Sequence, residues 1–226
     1  MSIITIERKV LEKNDELASQ NREVFQHHGA FVLNVVSSPG SGKTSILEWT
    51  LERLKNKLRI AVIEGDVQTD FDAQRIAAFG VPVVQIITNG GCHLDAKLVH
   101  DALGNLDLNG IQLLIIENVG NLVCPANYDL GEHTKVVLAS TTEGDDKPLK
   151  YPTMFRNASV LIVNKIDLLP YVRCDIAELK NNARRINPSL MIFETSCTKQ
   201  EGIDRWCTWL EEQVHNHSSG NTGKII

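Results

Sequence analysis

Apolar residues in this chain alternate between two spacings. Short unbroken runs read as buried strands: Phe31-Val32-Leu33-Asn34-Val35-Val36, Ile60-Ala61-Val62-Ile63, and residues 83–87, 113–116, 135–139, 160–163 and 191–193. Between them lie segments with helical spacing. These are residues 44–58, residues 72–79 closed by Gly80, a stretch marked by Leu94, Leu98, Val99, Ala102 and Leu103, and residues 173–186 and 203–214. Residues 1–29 carry a looser stripe (Val10, Leu11, Leu17, Val24, Phe25) and read as an N-terminal helical segment ended by Gly29. Strands apolar on both faces, alternating with helices, predict an α/β domain over residues 30–214. Its central sheet is mostly parallel, with helices on both faces. Residues 215–226 are polar and rich in Gly and Ser, and are expected to form a disordered tail.

Composition narrows the function. With 226 residues, 42% of them hydrophobic, the chain can bury one sizeable core. A net charge of −5 with no basic patch argues against nucleic acid. The apolar runs are too short to span a bilayer and no signal peptide opens the chain, so a cytoplasmic location is expected. Five scattered cysteines, an odd number, argue for metal or thiol chemistry over disulfides.

Ser37-Ser38-Pro39-Gly40-Ser41-Gly42-Lys43-Thr44 joins the first strand to its helix. It fits the phosphate-loop pattern with Ser37 in place of the first glycine. Gly40 and Gly42 let backbone N–H groups converge on phosphate oxygens at a helix N-terminus. Pro39, Gly40, Ser41, Gly42, Lys43, Thr44 and Ser45 are the candidate phosphate-binding residues; Lys43 would bridge the β- and γ-phosphates and the Thr44 hydroxyl would hold Mg²⁺. Asn164-Lys165-Ile166-Asp167 follows a later strand. A carboxylate there accepts from guanine N1–H and the 2-amino group, which adenine lacks, so the pattern favours GTP and GDP. Lys165 would lie along the base and Asn164 would brace the loop. Ser196-Cys197 stands where GTPases carry a second base-contacting loop, Cys197 reading as a small packing residue.

Glu117-Asn118-Val119-Gly120 ends another strand. Glu117 would hold Mg²⁺ or its water, and the Gly120 N–H would sense the γ-phosphate. Asp66 is a second candidate for the ion, with Asp70 and Asp72 less placed and Asp72 equally able to cap a helix. Lys43, Asp66, Glu117 and Gly120 are thus the candidate catalytic set. No water-positioning glutamine or arginine finger is evident, so slow hydrolysis is expected.

Cys92-His93, after Gly90-Gly91, and Cys124, shortly after Gly120, add soft ligands inside segments that should respond to the γ-phosphate. Thiolate plus imidazole suits Zn²⁺, Ni²⁺ or Cu. A lone Cys-His pair is more often structural; Cys124 in a switch segment shifts the balance towards a site. Asp95, water or a second copy of the chain would complete the coordination. His100, seven residues past His93, is a secondary candidate on the same helix face. His27-His28, His215 and His217 read as solvated.

Together these motifs resemble the hydrogenase nickel-incorporation GTPases, the HypB family. The resemblance covers roughly residues 30–210. It rests on Gly65-Asp66-Val67-Gln68-Thr69, Cys92-His93-Leu94-Asp95-Ala96, Glu117-Asn118-Val119-Gly120-Asn121-Leu122-Val123-Cys124-Pro125, the stretch from Glu143 to Pro152, and Asn164-Lys165-Ile166-Asp167-Leu168-Leu169-Pro170. It implies a P-loop GTPase of the SIMIBI type that uses GTP and Mg²⁺ to deliver Ni²⁺ to the large-subunit precursor of [NiFe]-hydrogenase. It further implies a GTP-promoted homodimer and a nickel-chaperone partner. Cys92, His93 and Cys124 would form a shared Ni²⁺/Zn²⁺ site at the dimer interface, and Lys147 would reach the γ-phosphate of the opposite subunit. Residues 1–29 contain no cysteine and only His27-His28, whereas some members carry a nickel-binding cysteine motif or histidine-rich stretch there. Urease-maturation GTPases are the nearest rival; they have a proline between Cys and His, and a Gly-Gly pair where Asn118-Val119-Gly120 stands. A regulatory GTPase with core cysteines is a second rival, and a non-enzymatic metal-binding module a third.

Overall fold

A computed structural model describes residues 6–221. The elements run α1 (Ile6–His28), β1 (Phe31–Ser37), α2 (Lys43–Leu54), β2 (Ile60–Asp66), α3 (Phe71–Ala77), β3 (Val83–Ile87), α4 (Ala96–Leu103), β4 (Leu113–Glu117), β5 (Thr134–Ser140), α5 (Lys147–Lys150), α6 (Pro152–Asn157), β6 (Val160–Asn164), α7 (Ile176–Ile186), β7 (Met191–Glu194) and α8 (Ile203–Asn221). The seven strands form one sheet in the order β3-β2-β4-β1-β5-β6-β7. Every pairing is parallel.

Alternation along the strands explains the layering. Leu33, Val35, Val62, Ile115, Val136 and Ile162 pack on one face with α2 (Ile46, Leu47, Leu51) and α8 (Trp206, Leu210, Val214). Val32, Ile63, Leu114 and Ile116 pack on the other with Phe25 of α1 and Val99 of α4; Val137, Leu161 and Val163 meet Phe155 of α6 and Leu179 of α7 there. The strand order reverses around β1, and ligands of such sheets bind at the carboxyl ends of the strands at that point. Every loop with candidate chemistry lies at that end.

Several boundaries differ from expectation. Helix α4 starts at Ala96, because Asp95 caps it by accepting from the Leu98 N–H at 2.8 Å. Helix α2 stops at Leu54, four residues short of the expected end. Helices α5 and α6 have no counterpart in the apolar pattern; both begin with proline in the first turn, a start signal. The expected tail is helical as far as Asn221, and residues 222–226 lie outside the described residues. His217 is not simply solvated: its ring sits 4.4 Å from His133 and 5.8 Å from Phe31. Among the described residues no helix is long and apolar enough to cross a membrane.

Candidate nucleotide site and metal-ligand cluster

The loop after β1 packs directly on the loop after β6. Gly42 has φ 100°, and a Cβ there would meet Asn164 Nδ2 at 2.5 Å. With no side chain in the way, Asn164 donates to the Ser41 carbonyl at 2.9 Å, while Lys165 Nζ donates to the Gly40 carbonyl at 2.6 Å. Lys165 itself is held at φ 61°, an uncommon conformation for a non-glycine residue that marks sites fixed by their surroundings. Asp167 accepts from the Ser196 hydroxyl at 2.6 Å. Cys197 lies beside Asn164, and burial pushes its thiol up to about 11, so it stays protonated and packs. Phosphate loop and both candidate base loops thus form one connected surface.

A cleft of about 300 Å³ opens beside it, lined by Lys43, Thr44, Ser45, Asp66, Asp72, Arg75 and Gly120 among others. Thr44 donates to Glu117 at 2.9 Å, and Lys43 Nζ lies 3.9 Å from the same carboxylate. Burial drives the Glu117 carboxyl up to about 7, against the pull of Lys43 and Thr44. Glu64, absent from the sequence candidates, joins it. Glu64 and Glu117 are paired across β2 and β4, and burial plus the Glu117 charge take Glu64 up to about 8. Each has a buried Oε2 with no hydrogen-bond partner. Carboxylate oxygens of Glu64, Asp66 and Asp72 come within 4.8 Å of one another. Adjacent buried carboxylates with orphaned oxygens, beside a threonine hydroxyl, suit a divalent cation, whose charge relieves their repulsion. Thr44, Glu117 and Asp66 could hold Mg²⁺, with Glu64 behind them. Asp70 occupies the N-cap position of α3, but its side chain bonds Gln74 instead of a backbone N–H. Asp72, inside that helix, pairs with Arg75. Arg75, also outside the sequence candidates, is held by Glu48 through two nitrogens.

The soft ligands meet at a second place. Cys92 Sγ, a His93 ring nitrogen and Cys124 Sγ lie within 4.8 Å of one another, with Cys92 exposed. Cys92 and His93 sit in the loop between β3 and α4; Cys124 opens the 3-10 turn Cys124–Asn127 after β4. Burial holds His93 below the ordinary imidazole range, so its ring is neutral and able to ligate; its ring centroid lies 4.0 Å from that of Tyr128. The Cys92 thiol is raised first by its hydrogen bond with Cys124 and then by burial. Two sulfurs and one imidazole make a three-donor set for Zn²⁺ or Ni²⁺ that one more ligand would close.

His100 is not part of this cluster: its Nδ1 lies 3.0 Å from Asn21 Oδ1, between α1 and α4. Asp95 is engaged as the α4 cap. Lys147 is 2.7 Å from Glu143 and over the Tyr151 ring, and Glu143 also accepts from Ser41 Oγ of the phosphate loop at 2.6 Å. Sequence spacing gives no sign of that last link.

Residues 31–194 match the family profile described as CobW/HypB/UreG, nucleotide-binding domain. The hydrogenase maturation factor HypB of Escherichia coli (strain K12) is 53% identical over 211 residues, covering 93% of this chain and 73% of that one. The chain belongs to the HypB family. A crystal structure of HypB from Helicobacter pylori in complex with nickel superposes with a TM-score of 0.86 at 38% identity, covering 91% of this chain and 97% of that one. The signal recognition particle receptor FtsY from Elizabethkingia anophelis in complex with GDP, at 16% identity and a TM-score of 0.54, covers 84% of this chain and 70% of that one; it shares the fold alone. The expected P-loop α/β class and the HypB resemblance therefore both hold.

Proposed function

We propose that this chain is a GTP-hydrolysing metal-delivery protein that supplies nickel to the large-subunit precursor of [NiFe]-hydrogenase. The observation that carries the reading is the Cys92, His93 and Cys124 cluster, held on loops that leave the same sheet edge as the candidate phosphate residues. The nickel complex of the Helicobacter pylori relative supports the cargo. In this reading Asp167 and Asn164 select guanine, Lys43 and the 38–42 loop hold the phosphates, and Thr44, Asp66 and Glu117 carry Mg²⁺. Hydrolysis is slow, because no free arginine or glutamine is aimed at the cleft among the described residues. GTP promotes a homodimer in which the two clusters share one Ni²⁺ or Zn²⁺, and a nickel chaperone loads it. Lys147 leaves Glu143 to reach the partner's γ-phosphate. Delivery needs the metal to bind the two nucleotide states with different affinity.

The test is Ni²⁺ titration of the protein loaded with GDP or with a non-hydrolysable GTP analogue, with molar mass followed by light scattering. Tighter binding and a doubled mass with the analogue are expected; equal affinity and mass in both states would sink the reading. Lys43→Ala should abolish turnover, which separates an enzyme from a module that merely binds nucleotide.

A further inference from the structure

Asn34 in β1 and Asn118, just past the end of β4, are wholly buried amides. Their hydrogen bonds have one consistent orientation. Glu132 accepts from the Leu130 N–H through Oε2 at 2.7 Å, and Asn34 turns Nδ2 towards its Oε1 at 3.1 Å. Asn34 Oδ1 then accepts from Asn118 Nδ2 at 3.2 Å. Asn118 Oδ1 is left to accept from the Leu94 N–H at 2.9 Å and from the Val119 N–H at 2.9 Å. Leu94 directly follows His93, and Asn118 directly follows Glu117. The path closes on the other side: Lys135 Nζ lies 3.4 Å from Glu132 and donates to the Tyr128 carbonyl at 2.9 Å, and the Tyr128 ring packs on His93. Leu94 is also pressed onto β2, because a Cβ on Gly65 would meet its side chain at 2.8 Å.

We infer that Asn118 is the positioning residue through which nucleotide state reaches the metal ligands. The inference rests on the proposed function. Asn118 neither lines the phosphate cleft nor belongs to the Cys92, His93 and Cys124 cluster. Its own N–H is fixed to the Val35 carbonyl at 3.0 Å, so it moves only with the end of β4. Any displacement of Glu117–Gly120 by phosphate or cation shifts Asn118 Oδ1 and with it the backbone that carries Cys92 and His93. The amide serves both ends at once, donating to Asn34 through Nδ2 while accepting from the Leu94 N–H through Oδ1. Cys124 lies on the same strand exit; Asn118 ties the other two ligands to it.

Nickel titrations of the full chain with GDP and with the non-hydrolysable analogue, for the unmodified protein and Asn118→Ala, test this. The unmodified protein should show a ratio of dissociation constants of about 5 to 150, the usual span of allosteric coupling, and Asn118→Ala a ratio within about twofold of one. A purely structural role would lower the melting temperature and leave the ratio in place, which overturns the inference alone. A ratio of one in the unmodified protein overturns the proposed function and this inference with it. Should Asn118→Ala not fold, exchange of the Leu94 amide in the unmodified protein decides: its rate should differ between the two nucleotide states, and equal rates refute the coupling.

Discussion

Replacing Gly65 by alanine tests whether the ligand loop rides on the sheet through Leu94. Gly65 does not have a positive φ, so the backbone accepts alanine; the difficulty is space. The added carbon would lie 2.8 to 2.9 Å from Leu94 Cγ, Cδ1 and Cδ2, whereas carbon atoms pack best at about 3.5–4.0 Å. Leu94 is fully buried among Ile63, Val99 and Ile116, and its N–H is committed to Asn118. It can neither swing outward freely nor retreat without pulling on His93. Overpacking of this kind costs about 1–3 kcal/mol, and for a domain of this size each kcal/mol lowers the melting temperature by roughly 2–4 °C, so a fall of roughly 2–12 °C is expected. If the metal-free protein relieves about 1 kcal/mol of that strain by displacing the loop, binding must restore it, weakening nickel affinity about fivefold. Calorimetric melting and nickel titration of Gly65→Ala read the two effects separately. A lower melting temperature with unchanged nickel affinity would show that Leu94 repacks without moving the loop, and would refute the reasoning. No change in either would show that the contact is slack.

Two other expectations concern the base and the acid limit. Asp167→Asn keeps one acceptor for guanine N1–H but turns the other oxygen into an NH2 facing the 2-amino group; at about 1.5–3 kcal/mol for the lost bond to a charged acceptor, GDP affinity should fall by roughly 10- to 200-fold, while xanthosine diphosphate, whose 2-oxo group accepts from the new amide, should bind better than GDP. Fluorescent-nucleotide competition measures both, and an unchanged GDP affinity would remove Asp167 from the base site. His133 accepts from the Val32 N–H through Nδ1 at 3.0 Å, and burial, then the His217 and Arg22 charges, hold it down at about 4. Below about 6.5 the unfolded chain therefore binds the proton and the folded one resists it, so stability should drop as pH falls from about 6.5 to about 4. At 1.36 kcal/mol per pKa unit the drop is at most about 3 kcal/mol, and solvent screening of the half-buried ring makes it smaller. Urea unfolding of the protein and of His133→Asn across that range should give a smaller drop in the variant; parallel curves would mean His133 is not the group responsible.

The strands were legible because a parallel sheet buried on both faces leaves unbroken apolar runs, and the loops that follow β1 and β6 because their glycines and polar residues interrupt those runs at strand ends. The tail misled because Ser, Gly and His read as solvated. Here Ser218 and Ser219 return their hydroxyls to the Val214 and His215 carbonyls within the helix, and His217 finds His133 and Phe31, which only the fold brings near. His100 misled for a different reason. The seven-residue spacing places it below His93 only if one helix holds both, and the Asp95 cap puts His93 outside.

Glu64, Asn34 and Asn118 show what periodicity cannot carry. Each sits in or beside a run that reads as strand, and a strand pattern says nothing about which residues face one another. Register supplies that: Glu64 stands opposite Glu117, and Asn34 opposite Ile116, two residues before Asn118. Burying an amide without partners costs about 1–3 kcal/mol on mutational scales, and burying carboxylates costs more. The amides escape that cost by forming a satisfied chain to the loop that carries Cys92 and His93, whereas Glu64 in β2 and Glu117 in β4 each keep an unpartnered oxygen. Replacing buried polar partners by apolar groups of the same shape is often neutral or stabilising, so stability alone does not account for them. Polar groups that persist there, satisfied at one end and open to a cation at the other, make sense if the core itself connects the two sites.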